Sequence, residues 1–212
     1  MNELFIKQFF SEKGELSQSI KDYRVRQEQV DISVLIDEAI TNKKKLIVEA
    51  GTGIGKTFAY LVPAFLSGGK IIISTATKNL QDQLFTKDIP MIRDALNVPV
   101  TLAMLKGRSN YLCHLRLENA MIEGAFMTKE DVTYLHLVNQ HAKHSIDGDR
   151  SELDTIPESS SIWPQVTSTK ENCLGQDCSF YKECFVMNAR KKALTADVTI
   201  VNHHLFFADL NM

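Results

Sequence analysis

The pattern of apolar and polar positions predicts an α/β domain over residues 24–105. Three short apolar runs are typical of strands buried in a parallel sheet, at 46–49, 71–74 and 100–105. Helical spacing of apolar residues predicts helices at 24–41, from Phe58 to about Leu66, and from Asn79 to Phe85. Strands that alternate with helices in this way indicate a parallel sheet joined by right-handed crossovers.

The pattern changes after Lys106. Residues 111–142 predict two helices, whereas 144–170 is polar and rich in turn residues, with no strand pattern. A further helix is predicted over about 180–194, and the apolar run 198–201 predicts a return to the sheet. We therefore predict an insertion over residues 106–190, in a domain that comprises residues 1–105 and 191–212.

Composition limits the class of protein. The 212 residues are 44% hydrophobic and 24% charged, which is ordinary for a globular protein large enough to bury a core. The net charge of −2 gives no general attraction to nucleic acid, so an argument for DNA binding has to be local. No apolar run approaches the ~20 residues of a membrane helix, and no signal peptide is recognisable. We expect a cytoplasmic protein that does not contact a membrane.

The segment 49–57, EAGTGIGKT, carries the clearest chemistry. Gly51, Gly55, Lys56 and Thr57 match the G-x-x-x-x-G-K-[ST] phosphate-binding loop. Glycines let backbone N–H groups surround phosphate oxygens, the lysine reaches the β- and γ-phosphates, and the hydroxyl of the threonine ligates Mg²⁺. A predicted strand before the loop and a predicted helix after it are the context that such a loop requires.

All four cysteines lie in the predicted insertion: Cys113, Cys173, Cys178 and Cys184. In a reducing compartment clustered cysteines are more often ligands than disulfides. One distant cysteine with three clustered ones favours a [4Fe–4S] cluster, while zinc sites usually contain Cys-x-x-Cys pairs, which this chain lacks. Zinc, and cysteines that are merely small buried residues, remain as alternatives.

One acidic pair and one histidine pair resemble functional motifs, but we predict that neither is catalytic or binds a metal. Asp37 and Glu38 follow an apolar run and resemble the acidic motif of an ATPase, but only residues 39–45 separate them from the predicted loop strand. A parallel neighbour needs a crossover of about a dozen residues, so we predict that this pair lies on a helix. The pair His203 and His204 is predicted to be structural.

Five blocks together resemble the N-terminal part of the XPD/DinG-type iron–sulfur DNA helicases. They are EAGTGIGKT (49–57), IIISTATKNLQDQL (71–84), LKGRSNYLC (105–113), the cysteine block 172–185, and VNHHLF (201–206). Their order is that of the family, and the resemblance extends from about residue 14 to 210. It implies a RecA-like P-loop NTPase domain, with helices on both faces of a parallel sheet and a helical iron–sulfur insertion.

The resemblance also implies roles for individual residues. The nucleotide, with Mg²⁺, would be bound by the loop and by residues that contact adenine: Gly51, Thr52, Gly53, Ile54, Gly55, Lys56, Thr57, Tyr23, Arg26 and Gln29. Lys56 and Thr57 would be catalytic, and the four cysteines would hold a [4Fe–4S] cluster. Segment 74–77 would be motif Ia, in which Thr75 and Thr77 contact DNA phosphates. Without the resemblance, Tyr23 and Gln29 would be assigned to a surface turn and a helix start.

Local cations and aromatic groups near the cysteines are candidates for binding a DNA strand. Lys106, Arg108 and Tyr111 precede Cys113, and the basic run 190–192 follows Cys184. For that run a solvated helix face is an equally good interpretation. The expected partner is single-stranded or forked DNA, with replication or repair proteins as further partners.

The resemblance implies a 5′–3′ helicase driven by ATP, and it limits what we expect of this chain. The family's Asp-Glu-Ala-His motif would lie beyond residue 206, so we expect nucleotide and cluster binding without efficient hydrolysis or unwinding. Two alternatives remain. One is another P-loop enzyme such as a kinase, and the other is a non-enzymatic, metal-stabilised module with a vestigial loop.

Overall fold

The structure is a computed structural model that describes residues 2–123 and 128–210, without the side chains of residues 209 and 210. The predicted domain ranges include some positions that lie outside the described residues, namely 1, 124–127, 211 and 212. The chain divides into two compact units. The first comprises the residues up to Met104 together with Ala196–His203, and the second comprises Leu105–Thr195 and the residues from His204 onward.

The first unit is an α/β unit with a parallel strand pair. Its helices are α1 (Glu3–Phe9), α2 (Glu15–Ser19), α3 (Gln27–Thr41), α4 (Lys56–Leu66), α5 (Lys78–Gln83) and α6 (Ile89–Leu96), with a π-helical turn at Leu84–Asp88 between the last two. Its strands are β1 (Ile71–Thr75), β2 (Leu102–Leu105) and β3 (Val198–Asn202), in the order β1-β3-β2. β1 and β3 are parallel, with Ile71 opposite Val198 and Thr75 opposite Asn202. A parallel sheet with helices is consistent with the RecA-like α/β class predicted from the sequence.

The core of the first unit includes two N-terminal helices that the sequence analysis did not predict. Ile6, Phe9 and Phe10, from α1 and the residue after it, are fully buried, as is Leu16 of α2. They join buried side chains of α4 and β3 in one cluster. The spacing of these apolar residues, three and four apart, is that of one helix face and was an available signal.

The predicted strand at 46–49 is absent, and this prediction was wrong. The segment has irregular backbone, and Ile47 is 98% exposed. A strand forms when a neighbour satisfies its backbone N–H and C=O groups. Among the described residues no strand pairs with this segment; the sheet contains only β1, β3 and β2, in that order. β1 is consequently an edge strand, and Ile72 is 61% exposed rather than buried as the continuous apolar run predicted.

The second unit contains short helices with their own core. They are α7 (His114–Glu123), α8 (Lys129–His144), α9 (Trp163–Val166) and α10 (Phe185–Thr195); α11 (His203–Leu210) follows β3. Single 3₁₀ turns lie at Arg108–Asn110, Arg150–Glu152, Gly175–Asp177 and Tyr181–Glu183. None of the described helices combines the length and apolarity needed to cross a bilayer.

The turn-rich segment 144–170 contributes more to this core than its composition predicts. Ile156, Ile162, Trp163 and Val166 are all buried against residues of α7, α8 and α10. The Trp163 indole N–H donates to the carbonyl oxygen of Pro157 at 2.9 Å, so its polar group is satisfied inside the unit. The second unit therefore has an apolar core of its own.

Candidate functional site

The predicted phosphate loop forms an open turn at the start of α4. Gly53 and Gly55 both have φ of +83°, a left-handed conformation that glycine adopts without steric penalty. Lys56 is the first residue of the helix, and its Nζ donates to the carbonyl oxygens of Ala50 at 2.9 Å and Gly51 at 2.8 Å. The ammonium group is thus held within the loop, beside the N-terminus of an 11-residue helix. Thr52, Ile54 and Thr57 belong to the same turn.

Gln29 of α3 lies directly against this loop. Its Nε2 donates to the carbonyl oxygen of Gly55 at 2.9 Å, and the residue is only 1% exposed. A Cβ atom at Gly55 would lie 2.2 Å from Gln29 Nε2 and 3.7 Å from Arg26 Nη1. The structure therefore brings Gln29 and Arg26 to the phosphate loop, although they precede Gly55 by 26 and 29 residues in the sequence.

The second polar atom of the Gln29 amide lacks a partner. Its Oε1 is buried, and within the described part of the chain it accepts no hydrogen bond. A buried acceptor left unpaired costs about 1–3 kcal/mol, which a ligand donor at this position would recover. An amide acceptor suits the amino group of a purine, but the Gln29 side chain would have to rotate to present its buried Oε1 to a ligand.

Tyr23 is close to Arg26 but is held by another contact. Its hydroxyl donates to the carbonyl oxygen of Phe10 at 2.9 Å. Burial raises the pKa of Tyr23, and the positive charge of Arg26 offsets part of that rise. No contact of Tyr23 with the loop is seen among the described residues, so its role at adenine stays a prediction.

The acidic pair lies on a helix, as predicted. Asp37 and Glu38 lie within the helix Gln27–Thr41. Asp37 accepts hydrogen bonds at 2.9 Å from both the backbone N–H and the Nδ2 of Asn2, the residue before α1. This carboxylate therefore anchors the start of α1.

The four cysteines line one cavity in the second unit. Cys113 precedes α7, Cys173 and Cys178 flank the 3₁₀ turn Gly175–Asp177, and Cys184 precedes α10. All four are half-buried, and together they line a cavity of about 210 Å³. Burial raises the pKa of Cys113, with smaller contributions in the same direction from Cys184 and Cys178. The thiol groups are thus near enough to influence one another.

Hydrogen-bond donors point at sulfur in this cavity. Arg108 Nη1 donates to Cys173 Sγ at 3.1 Å, and the Gly175 backbone N–H donates to the same atom at 3.4 Å. The cavity wall also contains Arg116 and Arg190. Cationic and N–H donors favour a thiolate over a thiol, which is the form that binds metal.

The four thiols share one cavity, but within the described residues the structure does not itself show a metal site. Across residues 2–123 and 128–210, no three His, Cys, Asp or Glu side chains are grouped closely enough for one metal ion. Tetrahedral zinc, with Zn–S bonds of about 2.3 Å, would require the sulfurs to be roughly 3.8 Å apart. A [4Fe–4S] cluster binds each thiolate to a different iron and therefore spaces the sulfurs more widely. Four thiols around a shared cavity are compatible with the second arrangement.

Lys106 and Tyr111 are buried rather than presented to solvent. Lys106 Nζ and Asp149 Oδ2 form a 2.6 Å ion pair, and their side chains are 3% and 11% exposed. The Lys106 backbone N–H donates to the Tyr111 hydroxyl at 2.9 Å, and burial raises the pKa of Tyr111 to about 12. These contacts give both residues a structural role, and the prediction that they contact DNA stays without support. Sequence reasoning missed Asp149, for which no local pattern signals a partner 43 residues away.

Motif Ia lies at the carboxyl end of β1. Thr75 is 5% exposed, and its hydroxyl donates to the carbonyl oxygen of Thr77 at 3.2 Å. Thr77 is exposed and caps α5, where its Oγ1 accepts the Leu80 N–H at 3.3 Å. The hydroxyl of Ser74 lies 2.7 Å from Nδ1 of His203. Sequence reasoning missed this contact, because it joins two blocks far apart in the chain.

A phosphate-loop sequence before an α-helix, in a unit with a parallel strand pair, is typical of a P-loop domain, although the strand predicted before the loop is absent. The model of the DEAD/DEAH box helicase family matches residues 32–150, which is more than half of the chain, and the chain belongs to this family. The resemblance noted in the sequence is thereby confirmed.

Curated relatives match nearly the whole chain. It is 52% identical to ATP-dependent DNA helicase YoaA of Haemophilus influenzae, over 97% of this chain and 32% of the relative. It is 46% identical to YoaA of Escherichia coli, over 95% of this chain and 32% of the relative. It is 34% identical to ATP-dependent helicase DinG of Mycobacterium tuberculosis, over 87% and 31%. The chain therefore spans about a third of the length of these relatives.

Proposed function

We propose that the chain is the nucleotide-binding and cluster-binding part of an ATP-dependent DNA helicase that moves 5′ to 3′ in replication or repair. One observation carries the proposal: Gln29, with a buried vacant acceptor, lies against the phosphate loop beside Arg26. This arrangement supports the proposal that base recognition and phosphate binding occur at one place. The printed names of the relatives, which are DNA helicases driven by ATP, support the choice of DNA over other substrates.

In this proposal each part of the nucleotide site has a defined task. The backbone N–H groups of residues 51–55 and the Lys56 ammonium bind phosphate, and Thr57 ligates Mg²⁺. Lys56 has to leave the carbonyl oxygens of Ala50 and Gly51 to reach the phosphates. Asp37 is not expected to serve as the catalytic carboxylate, since it is engaged with Asn2 and does not adjoin the loop through any described contact.

The cysteine cavity is proposed to hold a [4Fe–4S] cluster through Cys113, Cys173, Cys178 and Cys184. Such a cluster would cross-link the start of α7, the loop before α10 and α10 itself. Because the second unit has its own apolar core, loss of the cluster is expected to loosen segment 170–184 and to leave α7 and α8 folded. Single-stranded DNA is proposed to contact each unit separately. In the first unit the contact is motif Ia, and in the second it is the exposed Arg190 of the cavity wall.

The nucleotide part is tested by titrating the chain with a fluorescent ATP analogue and Mg²⁺. Lys56→Ala should abolish binding or weaken it by at least about tenfold, since it removes the cation that contacts the phosphates. Lys44→Ala is a matched control, because Lys44 is an exposed lysine outside the loop. Indistinguishable titrations of wild type and Lys56→Ala would instead support a non-enzymatic module with a vestigial loop.

The cluster part is tested by anaerobic purification with iron, sulfide and zinc analysis. About four irons and four sulfides per chain are expected. Cys173→Ser should lose iron and increase protease cleavage within 170–184, while the Trp163 environment in the core stays intact. One zinc per chain without sulfide would contradict the assignment.

A further inference from the structure

The carboxyl ends of β1 and β3 bring together two residues from distant sequence blocks. Because the strands are parallel and Ser74 pairs in register with Val201, Ser74 and His203 reach the same edge of the sheet. Their side chains meet, with 2.7 Å between Ser74 Oγ and His203 Nδ1. Ser74 is half-buried and His203 is exposed, so the contact faces solvent at the edge where α/β sheets bind ligands.

The neighbouring hydroxyls of this segment have other tasks. The Thr75 hydroxyl is buried and donates to the Thr77 carbonyl oxygen, while Thr77 Oγ1 accepts the Leu80 N–H. Whether the Ser74 hydroxyl can donate depends on His203. When the imidazole donates Nδ1–H to Ser74 Oγ, the hydroxyl hydrogen of Ser74 stays on its oxygen, points away from His203 and can donate to an anion. Hydrogen bonds linked in such a chain strengthen one another.

We infer that His203 is a positioning residue that directs the Ser74 hydroxyl at a nucleic-acid phosphate. This inference rests on the proposed function, because it takes single-stranded DNA as the ligand of motif Ia. It assigns a role to His203, one member of the His203–His204 pair that the sequence predicted to be structural. A merely structural hydrogen bond would instead stabilise the ends of the two strands and leave DNA affinity unchanged.

Amide side chains separate these two roles. The amide nitrogen of Asn can occupy the place of imidazole Nδ1 and donate to Ser74, whereas the longer Gln places its amide near Nε2 and cannot. The test measures binding of fluorescein-labelled oligothymidylate by anisotropy, together with nucleotide affinity and melting temperature. His203→Gln and Ser74→Ala should each weaken DNA binding by about fivefold to tenfold, the value of one hydrogen bond to phosphate. His203→Asn should remain within about twofold of wild type.

A double variant and a neighbouring histidine complete the experiment. Ser74→Ala combined with His203→Gln should be no weaker than Ser74→Ala alone, because both changes remove the same donor. His204→Gln is the matched control and should leave DNA affinity unchanged. Equal losses of DNA affinity in His203→Gln and His204→Gln would overturn the inference. Lowered melting temperatures with unaltered DNA affinity would overturn it as well. Failure of wild type to bind the oligonucleotide would refute the proposed DNA binding itself, a separate outcome.

Discussion

Two glycines of the phosphate loop have the same backbone conformation and different surroundings. Gly53 and Gly55 both have φ of +83°, but a Cβ atom at Gly53 would meet nothing within 4 Å. At Gly55 the added Cβ atom would lie 2.2 Å from Gln29 Nε2, a distance that forces the amide to move. Gly53→Ala and Gly55→Ala therefore share the conformational penalty, and only the second displaces Gln29.

The size of the difference follows from these contacts. Alanine in the left-handed region costs about 1–2 kcal/mol at either position. Displacing Gln29 in addition breaks its 2.9 Å hydrogen bond to the Gly55 carbonyl oxygen in a site that is 1% exposed. A buried polar group that loses its partner costs about 1–3 kcal/mol. We therefore expect Gly55→Ala to destabilise this region by about 1–3 kcal/mol more than Gly53→Ala does.

Hydrogen exchange measured by mass spectrometry is the suitable assay, in peptides that cover α3 and α4. The single tryptophan, Trp163, lies in the second unit, so its fluorescence would not report on the loop. In a Gln29→Ala background the extra effect of Gly55→Ala should disappear, because the clashing amide is gone. Equal loss of protection in Gly53→Ala and Gly55→Ala would refute the placement of Gln29 against the loop.

Two further predictions concern the second unit. Arg108→Gln should release iron to a chelator at least about tenfold faster, because it removes a charge-assisted donor to Cys173. Arg93→Gln, which instead loses an ion pair with Asp94 in the first unit, should release iron at the wild-type rate. Lys106→Met leaves the Asp149 carboxylate buried without its cation and should destabilise the unit by about 3–5 kcal/mol in denaturant titrations at pH 7. Burial would raise the pKa of Asp149, but the hydrogen bonds and charge of Lys106 hold it below its ordinary value. The wild-type pair therefore stabilises the fold above about pH 4 and loses this contribution as the pH falls through the lowered pKa of Asp149. The difference in free energy of unfolding between wild type and Lys106→Met should consequently shrink in acid. A difference that is constant from pH 7 to pH 3 would contradict this assignment.

Local patterns predicted well where the feature is itself local. The phosphate loop needs only a few residues at fixed spacing, and α4 begins at Lys56 as the motif requires. The amphipathic helix containing Asp37 and Glu38 was also predicted correctly, because a crossover could not fit in the residues that follow it. The helices α1 and α2 went unpredicted although the spacing of Phe5, Ile6, Phe9 and Phe10 carried a helical signal.

Predictions failed where the outcome depends on a distant partner. An apolar run at 46–49 has the composition of a strand, yet among the described residues no strand pairs with it and its apolar side chains stay exposed. The prediction that Lys106 contacts DNA stays without support, because its ammonium group pairs with Asp149 inside the core. Nothing in the residues around Lys106 distinguishes a lysine on the surface from one that meets a carboxylate 43 positions later.

The sequence by itself determined the chemistry on offer: a phosphate loop, four thiols in one insertion and the family to which they belong. These follow from residue type and short spacing, which the chain carries whatever its conformation. The tertiary structure alone decided which groups meet. It placed Gln29 on the loop, gathered four cysteines around one cavity, joined Ser74 to His203 and buried Lys106. Such contacts depend on how separate segments pack, and packing joins residues that no local pattern relates.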